Sequence, residues 1–275
     1  MASRLNTKHK APFSYLVILA FFLGYMLLPI LATYLFSVAT RWDRTILPEG
    51  YTLEWYQTAF ASSYFTITLR NSLIVSMASV LVSLLIVVPT VYWVRTRLPE
   101  AKPLLELLMI LPFGIPSVVL ALALVQIYNM PPIARSPYLL VSATVIFSMP
   151  FMYRAVSNAI EAIDANTLTE AAQSLGAGLG PILTRVIIPN IFPGILSGSL
   201  LVFATVFAEF TLAKLITGAG FKTFPLLLVE YTRKNGSVAA ALSVISFTIA
   251  WVASMLILLV GRSGKSGRQE HAPTH

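Results

Sequence analysis

Residues 154–189 read RAVSNAIEAIDANTLTEAAQSLGAGLGPILTRVIIP. The stretch is too polar to span a bilayer and too regularly patterned for a slack loop. Leu168, Ala171, Ala172 and Leu175 recur at i, i+3, i+4 and i+7, which places them on one helix face. Thr169, Glu170, Gln173 and Ser174 fill much of the remainder. Gly176 then stops that helix, because glycine adopts the left-handed backbone that ends one. Gly180-Pro181 opens a second helix, with proline in its first turn. The second run, Ile182 to Ile188, leads through Pro189 into a long apolar segment. The expectation is a short amphipathic helix, a glycine break and a second helix, all outside the bilayer.

On both sides of this stretch the chain is almost free of charge. Uncharged windows cover 11–40, 71–94, 107–134, 136–153, 186–208 and 235–261. A membrane helix needs about 20 mostly apolar residues to cross about 30 Å of hydrocarbon. The six windows therefore predict six spanning helices, with the patterned stretch between the fourth and fifth. The fold class expected is an all-α integral membrane protein. Composition agrees. Of 275 residues 57% are hydrophobic and 11% charged, against about 25% charged in soluble domains, and mean hydropathy is +0.79. Pro29, Pro89, Pro112, Pro116, Pro150 and Pro193 sit inside or beside the windows. They read either as simple kinks or as bends around a translocation path.

Several function classes are excluded at this stage. The chain has no cysteine, so thiolate metal sites, disulfides and cysteine nucleophiles are absent. Its three histidines, His9, His271 and His275, lie in the polar tails. No metal site and no catalytic residue is assigned. An intramembrane enzyme lacks an HExxH or a GxSxG serine. The net charge of +8 is interrupted by apolar runs, which fits basic loops at a membrane surface and not nucleic acid. With six spans both termini share a side. Placing them in the cytoplasm puts eleven Lys and Arg inside and eight outside, a bias in the direction of the positive-inside rule. The first window follows Arg4, Lys8 and Lys10 but is too long for a cleaved signal core of about 7–15 residues. The expected layout is an anchor helix and outer loop over 1–63, a membrane core holding the other five windows over 64–262 and a disordered cytoplasmic tail over 263–275.

The order Glu170-Ala171-Ala172, three residues, Gly176, nine residues, then Val186-x-Ile188-Pro189 resembles the EAA motif of permease subunits in binding-protein-dependent type I ABC importers. That family usually carries isoleucine and leucine where this chain has Val186 and Ile188. Both changes keep an aliphatic side chain. The resemblance implies a cytoplasmic coupling helix docked on an ATP-binding ABC subunit, with Glu170, Ala171, Ala172, Leu175, Gly176, Val186, Ile188 and Pro189 forming the contact. It further implies a second permease subunit, identical or related, and a periplasmic or lipid-anchored substrate-binding protein. Its setting is the bacterial inner membrane. No cofactor is implied for this chain, since it lacks a GxxxxGK[ST] loop and ATP would sit on the partner. The region around Trp42 to Gln57 is similar to the outer loop of the polyamine, aminoethylphosphonate and ferric-iron branch. It reads either as a capping loop or as a dock for the binding protein.

Three residues have competing readings. Glu170 faces the ATPase in the resembled family, but Thr167-x-x-Glu170 also fits a capping box. Glu209 is an ionisable residue at membrane depth, where charge is expensive. It reads as lining the substrate path, together with Phe210 and Tyr153, or as a boundary charge paired with Lys214. An acidic residue at this place is familiar in the resembled family. Tyr153 and Trp93 read as interfacial aromatics, Arg154 as the snorkelling end of the fourth span, and Asp164 as a helix cap. The alternative function is a secondary transporter working without an ATPase.

Overall fold

The computed structural model describes residues 13–266, and over these it is helical, with no strand beyond one isolated bridge between Ala39 and Tyr51. The helices are α1 (Phe13–Val38), α2 (Glu54–Ala61), α3 (Phe65–Arg97), α4 (Lys102–Gly114), α5 (Ser117–Ile127), α6 (Pro137–Glu161), α7 (Ala165–Ser174), α8 (Leu179–Pro181), α9 (Ile188–Phe207), α10 (Thr211–Ile216), α11 (Phe224–Lys234) and α12 (Gly236–Ser266). Five helical segments are long and apolar enough to cross a membrane: Val17–Val38, Phe65–Arg97, Pro137–Glu161, Leu179–Phe207 and Gly236–Leu259. The third uncharged window is not straight. It is a pair of helices, Pro99–Gly114 and Ser117–Ile127, bent by 100°. Pro116 explains the break, because the residue before a proline is pushed out of the α region, and Ile115 is extended at φ −103°, ψ 115°. Pro29, Pro89, Pro150 and Pro193 instead lie within continuous helices. The basic N-terminus, the three histidines and residues 267–275 of the tail lie outside the described residues.

Contacts group the chain into two units. The first comprises Met1–Ala59 and Tyr231–Ile245. Its α1 is exposed along almost its whole apolar length, as suits a lipid-facing helix whose backbone bonds are all internal. Beyond it, the Trp55 indole N–H donates to the Ala39 carbonyl at 2.8 Å, and Tyr56 and Ser37 share a hydrogen bond of 2.8 Å. The loop after Trp42 is thereby fastened to the end of α1. Asn235 caps α12, its Oδ1 accepting from Ser237 and Val238.

The second unit, Phe60–Glu230 with Ser246–His275, holds a core in which α3, α6 and α9 pack on one another. Residues Gly194 and Gly198, one turn apart on α9, let α9 approach α6 closely. A Cβ on Gly194 would meet Ala159 and come within 2.8 Å of the Ala155 carbonyl. One on Gly198 would lie 2.7 Å from Met152 Sδ. Such small-residue seams bring helix backbones together in lipid, where van der Waals packing has to replace the hydrophobic drive. The α3–α6 seam is polar, with Ser79 and Thr144 hydroxyls 2.8 Å apart and both buried.

Candidate functional site

The fourth span does not end at Arg154. Helix α6 continues to Glu161, and Arg154 is an exposed residue two turns before its end. The chain then turns, and Asp164 caps α7. Its Oδ1 accepts the Thr167 backbone N–H at 3.2 Å and its Oδ2 accepts the Thr167 hydroxyl at 2.7 Å. These bonds, the hydroxyl first, hold the Asp164 carboxyl below its ordinary range. The helix therefore starts at Ala165, and the Thr167–Glu170 capping box does not form. The Glu170 carboxylate is exposed and makes no hydrogen bond or ion pair among the described residues.

The inward face of α7 also differs from the expected stripe. Ala165 and Thr169 are buried, with Leu168 and Ala172 half-buried beside them. The face is 165, 168, 169, 172, three residues earlier than 168, 171, 172, 175, a rotation of about 60° at about 100° per residue. Thr169 is held by the Tyr92 hydroxyl on α3 at 3.1 Å and by the Ala165 carbonyl at 2.6 Å. That polar anchor rotates the helix and turns Ala171 and Leu175 outward. Leu175 is 89% exposed. The outward face of α7 and its end thus present Glu170, Ala171 and Leu175.

Gly176 ends α7 as expected, at φ +79°. Its N–H donates to Gln173 O at 2.8 Å, and the Ala177 N–H reaches back to Ala172 O at 3.0 Å. This is the two-bond Schellman closure, whose left-handed residue favours glycine. The second helix is not separate. Leu179 to Phe207 is one continuous helical segment, with a widened π turn at Ile182–Ile187. Pro189 has no N–H to offer the Arg185 carbonyl, and the widening sits at that place. Within it Ile182 and Ile187 are fully buried, while Val186, Ile188 and Pro189 are half-buried. Helix α7 packs back on this turn, so the polar excursion is tied to α3 at one point and runs directly into α9.

The expected path residues are not brought together. Tyr153 is buried, 7% exposed, and sits at the loop end of α6; Trp93 is exposed. Glu209 follows the far end of α9, half-buried, with Phe210 half-buried beside it. The Glu209 carboxylate accepts the Leu212 N–H at 2.9 Å at the start of α10, and Lys214 is exposed and forms no ion pair with it. Glu209 thus serves the turn into α10, a short helix that packs on α5. Sequence reasoning missed Tyr92, Thr169, Gly194 and Gly198. The Gly-x-x-x-Gly spacing on α9 was a usable signal; nothing in the sequence pairs Tyr92 with Thr169.

The family described as "Binding-protein-dependent transport system inner membrane component" matches residues 97–263, more than half of the chain. The chain belongs to this family. Among curated relatives, the spermidine/putrescine transport system permease protein PotB of Haemophilus influenzae is 29% identical over 226 residues, covering 74% of this chain and 76% of that protein. PotB of Salmonella typhimurium is 30% identical over 201 residues, covering 66% of this chain and 69% of that one. A probable ABC transporter permease protein, y4fN of Sinorhizobium fredii, is 28% identical over 255 residues, 88% of this chain; the chain spans only 44% of that relative's length. Among solved structures, a chain of a bacterial ABC transporter for import of the acidic polysaccharide alginate superposes with TM-score 0.72 at 16% identity, covering 91% of this chain and 94% of that one. A methionine ABC transporter chain gives 0.59 at 18% identity, covering 74% and 99%. Those likenesses show the fold. The protein is a multi-pass, all-helical permease of the ABC importer class, with residues 154–189 inside the matched family region.

Proposed function

We propose that this permease forms half of the translocation pathway of an ATP-driven importer in the bacterial inner membrane, with both termini cytoplasmic. The observation that carries the reading is the outward face of α7. Glu170, Ala171 and Leu175 stand exposed on a helix anchored to α3 and closed by a Schellman turn. The partner for that face is an ATP-hydrolysing subunit, two copies of which serve two permeases. The second permease is a copy or a relative of this chain. ATP-driven closure draws the two α7 loops together and opens the cavity outward; hydrolysis resets it inward. Rigid helices carry such a shift because packed elements move as units. A binding protein outside the membrane delivers the solute. Photo-crosslinking from position 175 in membranes of the host tests the docking. An adduct with an ATPase is expected, and adducts with lipid alone would defeat the reading.

The substrate class proposed is a polyamine, supported by the names of two relatives. Glu209 fits it as the half-buried carboxylate at the far end of α9, able to meet an ammonium group when its bond to Leu212 opens. Uptake of labelled putrescine and spermidine by host cells, with and without the gene, tests it. Equal uptake would remove the polyamine assignment and leave the permease assignment standing.

A further inference from the structure

A cleft of about 430 Å³ opens between α4 and α6 near the α7 loop, within the range of small-ligand sites. Its lining divides at one level. Met109, Ile110, Phe113 and Pro150 form one end, and Lys102, Glu106, Arg154 and Glu161 the other. One uncharged window begins at Leu107 on α4 and the next ends at Tyr153 on α6, with Arg135 lying between them. The polar–apolar boundary of the membrane therefore crosses both helices at the cleft.

The charges are incompletely matched. Lys102 Nζ lies 2.8 Å from Glu161 and 3.7 Å from Glu106, so one ammonium serves two carboxylates. Arg95 on α3 lies near Glu161 and lines the adjoining cavity. Glu106 is left the less well served of the two. The Arg154 guanidinium makes no ion pair or hydrogen bond in the described chain. The exposed guanidinium stands at the edge of the apolar run, and its planar fork suits a phosphate.

We propose that this cleft seats a phospholipid whose head carries a primary ammonium. The phosphate sits on Arg154, the ammonium beside Glu106, and the first chain carbons lie along Ile110 and Phe113. A head group with both charges fills both unmet needs, and the apolar end selects the lipid over its soluble head. Basic pockets between membrane helices hold anionic lipid head groups; this cleft pairs base with acid, which suits a head group carrying both charges.

Native mass spectrometry of the purified transporter, in micelles doped with phosphatidylethanolamine, phosphatidylcholine or phosphatidylglycerol, tests this. Phosphatidylethanolamine should be retained over phosphatidylcholine. Arg154→Gln should lower its retention by about tenfold or more, the loss of one charge-assisted contact, with an unchanged melting temperature. Arg154→Lys should keep part of the retention, and Glu106→Gln should bring the two zwitterionic lipids level. Equal retention by wild type and Arg154→Gln would overturn the site. Phosphatidylglycerol bound more tightly than phosphatidylethanolamine would overturn the ammonium contact. Displacement by soluble phosphoethanolamine at concentrations matching the lipid would overturn the lipid as occupant.

Discussion

Leu175 and Gly176 are adjacent and expose opposite kinds of requirement. Leu175 is 89% exposed among the described residues, so removing it takes little from the fold. Leu175→Ala is expected to change thermal stability by less than about 0.5 kcal/mol, as for surface sites generally, and to weaken recovery of the ATPase with the purified permease. Gly176 has open space around it, so its requirement is backbone alone. At φ +79° a β-branched residue strains the closure by about 1–2 kcal/mol. Gly176→Val should leave the protein inserted and uncouple uptake from ATP hydrolysis, while Gly176→Asn, which tolerates this backbone, should retain most uptake. Wild-type uptake by the valine variant would refute the coupling role. Asp164 adds a pH signature. Its folded pKa is depressed, so the cap is fully present above the unfolded value and is lost as pH falls through the folded one. Hydrogen exchange at the Thr167 amide should accelerate there, and Asp164→Asn should flatten the response.

At the scale of elements, the excursion matters because it is held at both ends. The Tyr92–Thr169 bond ties α7 to α3, and the Gly194–Gly198 face presses α9 on α6. In the proposed docking, a push on α7 would reach α3 through this bond and α9 through the continuous segment that follows. Gly194→Leu forces a side chain into the Ala155 and Ala159 backbone turn and should destabilise by about 1–3 kcal/mol, read as a lower melting temperature of the purified protein. A double-mutant cycle of Tyr92→Phe and Thr169→Val should give a coupling of about 1 kcal/mol. Zero coupling would show that the contact holds nothing.

For the whole molecule, the decisive measurement is transport. Glu209→Gln should reduce uptake of a cationic substrate several-fold while the ATPase still co-purifies. Unchanged uptake would return Glu209 to its role of starting α10. Much of this architecture was legible beforehand. The uncharged windows located the apolar helices, because a span needs an unbroken apolar run whatever surrounds it. The motif from Glu170 to Pro189 marked the family region, and Gly176 marked the end of α7, because glycine's backbone freedom is a local property. Less was legible where neighbours decide. Arg154 was read as a helix end because charge marks a membrane boundary, yet a helix can run past that boundary, and α6 does. The capping box was read at Thr167 because the pattern permits it, but Asp164 stands one turn earlier and took the cap.

Composition and local backbone preference by themselves determined that this chain is a helical membrane protein with one patterned polar excursion, since both depend only on residues close in sequence. Which face of α7 turns inward, and the packing of α4 against α6, were decided by tertiary structure. The first depends on a hydroxyl of Tyr92, 77 residues before Thr169. No periodicity along one segment records where a distant side chain will come to rest.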